Sequence, residues 1–134
     1  MIEEELTGQI IKAFYKVYNT LGYGFLKNVY KNAMPLELIE HGLEVEAEKA
    51  VAVYYKEKVV GSFFADLVVS SKVITELKAK EALIEAHEAQ LTNYLRATEI
   101  EVGLLFNFGR MPEFKRKYFS NDRKLISVAG SIPT

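Results

Sequence analysis

Residues 63–78 read FFADLVVSSKVITELK, and this stretch decides the fold. Two short, apolar, β-branched runs flank Ser70, Ser71 and Lys72, the pattern of two strands joined by a tight polar turn. Strand side chains alternate between faces, so Glu76 and Lys78 share one face. A hairpin turning about Ser71 sets Asp66 directly opposite Glu76, with Cβ atoms about 4.5–5.5 Å apart. Like charges facing each other across a sheet repel. A divalent cation between them is the simplest offset, because a hard cation such as Mg²⁺ binds through one or two carboxylates and keeps several waters for substrate phosphates. The competing reading is a salt bridge to Lys78, which is compatible with a metal. Placement favours a built site: Asp66 interrupts Phe63, Phe64, Ala65, Leu67, Val68 and Val69, and Glu76 sits among Val73, Ile74 and Leu77. Strands this apolar are buried, and buried charges are paired or metal-bound.

A chain of 134 residues suits one domain with its own core. It has no cysteine, which rules out disulfides and thiolate metal sites and fits a reducing compartment. With only His41 and His87, a histidine-built zinc site is not expected. No apolar run approaches the roughly 20 residues needed to span a bilayer. The start of the chain carries Glu3, Glu4 and Glu5 where a signal peptide would be basic. The expected location is therefore the cytoplasm, with no membrane partner. A net charge of -1 does not by itself mark a nucleic-acid binder. The distribution is more informative: Arg110, Lys115, Arg116, Lys117, Arg123 and Lys124 crowd one segment against Glu113 and Asp122. Lys115, Arg116 and Lys117 are candidate phosphate contacts, and a solvated strand edge is the competing reading.

Around the hairpin, the spacing of Leu6, Ile10, Ala13, Phe14, Val17 and Leu21 predicts a helix over 4–20, ended by Gly22 and Gly24. A second helix is expected from Phe25 or Leu26 to His41. Val29, Tyr30, Ala33, Leu36 and Leu38 or Ile39 would face inward, with a kink or break near Asn32–Met34 ahead of Pro35. Alternation predicts a short strand through Leu43, Val45 and Ala47, another at 51–55, a charged turn at 56–58, then the two hairpin strands. Residues 85–98 read as a helix, with Ala86, Ala89, Leu91, Tyr94, Leu95 and Ala97 on its apolar side. Residues 102–108 read as a buried strand and 113–119 as a partly exposed one. The expected order is α-α-β-β-β-β-α-β-β, a mixed α/β (α+β) sheet flanked by helices, forming one domain over 1–119. Residues 120–134 read as a loose C-terminal tail.

Asp66, the Glu76-x-Lys78 pair and the following HEAQLTNYL segment resemble the PD-(D/E)XK nuclease superfamily. With LGYGFLKNVYKNA, LEVEAEKAVAVYYKEKVVG and VGLLFNFG, the chain is similar to its small GxxExxY branch over most of its length. The resemblance implies a restriction-endonuclease-like core, a mixed sheet with a helix on each side. It also implies Mg²⁺ or Mn²⁺ held by Asp66 and Glu76, Lys78 beside the attacking water, and nucleic acid, DNA before RNA, as the partner. Gln90 and Tyr94 match a Gln-x-x-x-Tyr pattern on the helix after the Glu-x-Lys strand, and their i, i+4 spacing puts them on one face. Tyr94 is equally readable as a core aromatic, and His87 as a capping or surface residue.

One position departs from the pattern. The segment Gly24-Phe25-Leu26-Lys27-Asn28-Val29-Tyr30 carries Lys27 where the branch has its glutamate, and the neighbouring Tyr23, Asn28 and Lys31 are not acids. An ammonium there repels a cation, so Lys27 is expected either to swing outward or to pair with Asp66 or Glu76. Two functions follow: a metal-dependent nuclease, or a non-catalytic nuclease-fold module that binds nucleic acid or protein. Oligomeric state is not readable from these residues.

Overall fold

The computed structural model describes residues 2–125. Two helices open the chain, α1 (Glu4–Leu21) and α2 (Lys27–Glu40). Three strands follow, β1 (Val45–Tyr55), β2 (Lys58–Val69) and β3 (Val73–Lys78), then α3 (Glu85–Arg96), β4 (Val102–Phe108) and β5 (Pro112–Tyr118). The two short strands expected before β2 are one continuous β1, so five strands form where six were expected. The sheet order is β1-β2-β3-β4-β5. β3 and β4 are parallel and every other neighbouring pair is antiparallel. The one parallel pair is the one joined through a helix, as a parallel crossover requires.

Alternation along the strands builds two cores. Leu67, Val69, Val73, Leu77, Leu104 and Phe106 pack with Ile10, Phe14, Tyr30 and Met34 of α1 and α2. Val68, Ile74 and Leu105 pack with Leu91 and Leu95 of α3 on the opposite face. β4 is buried along its whole length, because helices cover both of its faces. Among the described residues no helix is long and apolar enough to cross a membrane.

The hairpin turns where the sequence predicts, with Ser70 and Ser71 at positive φ and Val69 opposite Val73. Three expectations are corrected. Of the kink or break expected ahead of Pro35, the break does not occur: α2 continues through Pro35, because burial of Tyr30, Met34 and Leu38 on one stripe outweighs the hydrogen bond that proline removes. Leu36 is 69% exposed and Met34 takes an inward place instead; of the alternatives Leu38 and Ile39, Leu38 is the buried one. Ala86 and Ala89 of α3 are exposed, since the sheet covers only the Leu91–Leu95 side of that helix. Of the tail expected to be loose, residues 120–124 are held: Asn121–Arg123 form a 3-10 turn, and Lys124 Nζ donates to the carbonyls of Thr98 and Ile100 at 2.8 Å. Residues 126–134 lie outside the described residues.

The segment after β3 is clamped to β4. Asn107, fully buried, accepts from Lys80 N–H and donates to Lys80 carbonyl, both at 2.9 Å. The approach is so close that a β-carbon at Gly109 would lie 2.7 Å from the Lys80 carbonyl oxygen and 3.1 Å from that of Glu81. Gly109→Ala is therefore expected to cost about 1–3 kcal/mol of stability by overpacking against backbone. The check is urea unfolding, with a lowered midpoint at unchanged slope.

Candidate active site

Asp66 stands where two ladders fail. The β1–β2 register runs through Ala47↔Leu67 and Lys49↔Ala65 but skips the intervening pair, where Glu48 takes φ 52. The β2–β3 ladder ends at Leu67↔Thr75, while β3 stays paired with β4 as far as Lys78↔Asn107. β2 and β3 thus part just beyond Leu67 and Thr75. The next position on each strand is Asp66 and Glu76, opposite each other in the register of the hairpin. Their carboxylates take over the lost backbone bonds. Asp66 N–H donates to Glu76 Oε2 at 2.7 Å, and Leu77 N–H donates to Asp66 Oδ2 at 2.9 Å. Buried backbone donors need partners, so each acid satisfies the other strand.

Both acids are buried, Asp66 6% and Glu76 4% exposed. Burial first, and the Asp66 carboxylate second, push the Glu76 pKa up to about 7. Lys78, two residues along β3, donates from Nζ to Gln90 Oε1 at 3.1 Å. Burial, then the Lys27 ammonium, hold Lys78 below the usual lysine range, against the pull of Glu76 and Asp66. Tyr94 stacks on Phe63 at 3.7 Å with 4° between the ring planes. Burial raises its pKa, and so do Glu76 and Asp66, whose fields reach it. His87 accepts from Ile84 N–H at 3.2 Å and caps the start of α3.

Lys27, the first residue of α2, points at the acids: its Nζ is 2.9 Å from Asp66 Oδ2. Lys31, one turn on and so on the same helix face, bonds Glu48 and lies 3.9 Å from Asp66 Oδ1. Sequence reasoning passed over Lys31, Glu48 and Phe63 as site neighbours. The i, i+4 relation of Lys31 to Lys27 was a usable signal; the left-handed backbone at Glu48 had none. Of Lys115, Arg116 and Lys117, the two lysines share a face and the arginine does not. Lys115 and Lys117 pair in register with Leu105 and Gly103, on the α3 face, where Lys117 bonds Glu88 at 2.6 Å. Arg116 pairs with Leu104 and belongs to the opposite face.

A family model for the PD-(D/E)XK nuclease superfamily matches residues 4–117. The chain belongs to the PD-(D/E)XK nuclease superfamily. Comparison with curated proteins and with solved structures gives no match. The five-stranded mixed sheet with α1 and α2 on one face and α3 on the other is the restriction-endonuclease-like core of the superfamily.

PD-(D/E)XK nucleases generally depend on a divalent metal. Among the described residues, no group of three or more His, Cys, Asp or Glu side chains is arranged to hold one. Two carboxylates suffice for Mg²⁺ when water and phosphate complete the shell. The donor set fits that case: the N–H bonds engage Asp66 Oδ2 and Glu76 Oε2, and the second oxygen of each acid takes none. In the arrangement described here, Lys27 supplies the compensating positive charge.

The raised pKa of Glu76 has a thermodynamic sign. The folded state binds its proton more tightly than the unfolded chain, so Glu76 contributes stability below the ordinary carboxylate range and loses it as pH rises from 4.5 to about 7. In a chelator, the stability of the protein relative to Glu76→Gln is expected to fall across that window by about 2–3 kcal/mol. Chemical denaturation at a series of pH values checks this, and parallel curves would contradict it.

Proposed function

We propose that the protein is a metal-dependent hydrolase of nucleic-acid phosphodiesters, with DNA as the favoured partner. The observation that supports this most is the buried Asp66–Glu76 pair at the parting of β2 and β3, with Lys78 on the same strand as Glu76. Asp66 and Glu76 would hold Mg²⁺ or Mn²⁺, which when bound polarises a phosphoryl oxygen and acidifies a water. Lys78 stabilises negative charge developing on the reacting phosphate. Its lowered pKa also suits it to exchange a proton with the attacking water. Gln90 positions the Lys78 ammonium, and Tyr94, fixed against Phe63, lies within the field of Glu76 and Asp66. Chains without cysteine suit the cytoplasm, where we place this activity.

The second reading is a nuclease-fold module that binds without cleaving. The Lys27–Asp66 pair favours it, because an ammonium that satisfies Asp66 removes the need for a cation. An ammonium about 4 Å from a divalent ion is repelled by several kcal/mol even at an effective dielectric near 20.

On plasmid and linear DNA, Mg²⁺- or Mn²⁺-dependent cleavage is expected, and it is expected to vanish in Glu76→Gln and Lys78→Ala. Activity surviving both changes would place the chemistry elsewhere.

Calorimetric titration of Mn²⁺ separates the two readings. Lys27→Glu is expected to bind at least about tenfold more tightly than the unaltered protein, and Asp66→Ala to lose binding. Unaltered protein that neither binds Mn²⁺ nor cleaves, beside a Lys27→Glu form that does both, is the outcome of the binding module. Equal affinities would remove Lys27 from the site.

A further inference from the structure

The parallel strands β3 and β4 end at a cleft of about 840 Å³. Ligands of α/β sheets commonly sit outside the carboxyl ends of parallel strands. This cleft shares Lys27 and Lys78 with the acid pair and extends away from it to Lys80 and Arg110. Four cations therefore face one acid, Glu81, along its lining. Among the described residues, Lys80 and Arg110 have no carboxylate partner of their own. Two exposed rings stand in the same lining, Tyr23 at 54% and Phe25 at 48%, while the third, Phe108, is buried. The Arg110 guanidinium lies 5.9 Å from the centre of the Tyr23 ring.

The walls are fixed from beneath by buried polar groups. Tyr30, fully buried, donates its hydroxyl to Gly22 carbonyl at 2.7 Å and accepts from Phe25 N–H at 3.3 Å, which sets the Tyr23–Phe25 wall. Asn107 clamps Lys80 on the other side. The Tyr18 hydroxyl lies 2.7 Å from the carbonyls of Gly109 and Arg110. Exposed aromatic rings on an anchored backbone are a preorganised surface, for which little ordering entropy is lost on binding.

We propose that this cleft takes an unpaired nucleic-acid strand, with bases stacked on Tyr23 and Phe25 and phosphates on Lys80 and Arg110, and so delivers a single strand to Asp66 and Glu76. The proposal rests on the phosphodiesterase reading of the acid pair for its direction of travel, while the binding itself does not. A cationic groove interleaved with aromatic rings is the arrangement that holds single strands, since stacking needs an open base face. A duplex buries its base faces, and a cleft of this volume accepts a ligand of a few ring systems rather than a double helix.

The test is fluorescence anisotropy in a chelator, using labelled oligothymidylate and a duplex of equal length. The single strand is expected to bind more tightly than the duplex. Tyr23→Ala and Phe25→Ala are each expected to weaken it by roughly tenfold, within the range of one lost stack. Lys80→Ala with Arg110→Ala is expected to flatten the dependence on log salt by about 0.7 per contact. All four side chains are on the surface, and circular dichroism confirms that the variants are folded. Equal or tighter binding of the duplex, or ring variants that bind as the unaltered protein does, would overturn the proposal. Cleavage is scored separately in Mg²⁺. Ring-dependent single-strand binding without cleavage removes the hydrolase reading and keeps the cleft; cleavage without ring-dependent binding keeps the hydrolase and removes the cleft.

Discussion

The parting of β2 from β3 beyond Leu67 and Thr75 is the constraint on which the rest of this site depends. β3 remains in the sheet through its parallel partner β4, and β2 through β1, so neither strand is free to close the gap. Backbone N–H groups facing that gap must find acceptors in a region walled off from water. Asp66 and Glu76 supply them, each acid bonding the backbone of the opposite strand. The same two residues thus hold the backbone and bring charge into the gap. Their burial brings Glu76 into a range where its charge responds to what binds nearby.

The charge placed in that gap is balanced from the helix side. Lys27 and Lys31 come from the first turns of α2 and meet Asp66 and Glu48, while Lys78 comes from β3 itself. In a superfamily whose members generally use a divalent metal, this chain puts an ammonium within hydrogen-bonding distance of one acid. A divalent cation at Asp66 would have to compete with this lysine. Lys27 also lines the adjoining cleft.

Much of this was legible in the residues. The hairpin register followed from two apolar runs and a three-residue polar turn, and with it the opposition of Asp66 and Glu76. The helical periodicity of residues 4–21 and the unbroken apolar run of β4 were strong local signals. A break at Pro35 does not form because the buried stripe of Tyr30, Met34 and Leu38, which lies outside the local cost of proline, outweighs it. In the run Lys115–Lys117 the strand period decides which charges share a face, Lys115 with Lys117 and Arg116 apart from them. Adjacent charges look like one patch in a sequence, but in a strand they alternate between faces, and the α3 face already held Glu88 as a partner for Lys117.

The sequence by itself determined the element types, the hairpin register, and the shared face of Glu76 and Lys78. These are local properties, set by side-chain period and turn chemistry within a few residues. Only the tertiary structure decided that Lys27 pairs with Asp66, that Lys31 and Glu48 join them, and that Lys80 and Arg110 meet Tyr23 and Phe25 across one cleft. Those contacts join residues far apart in the chain. They depend on where α2 docks on the sheet and on where the parallel pair β3 and β4 ends, which packing of both cores settles together and no local pattern encodes.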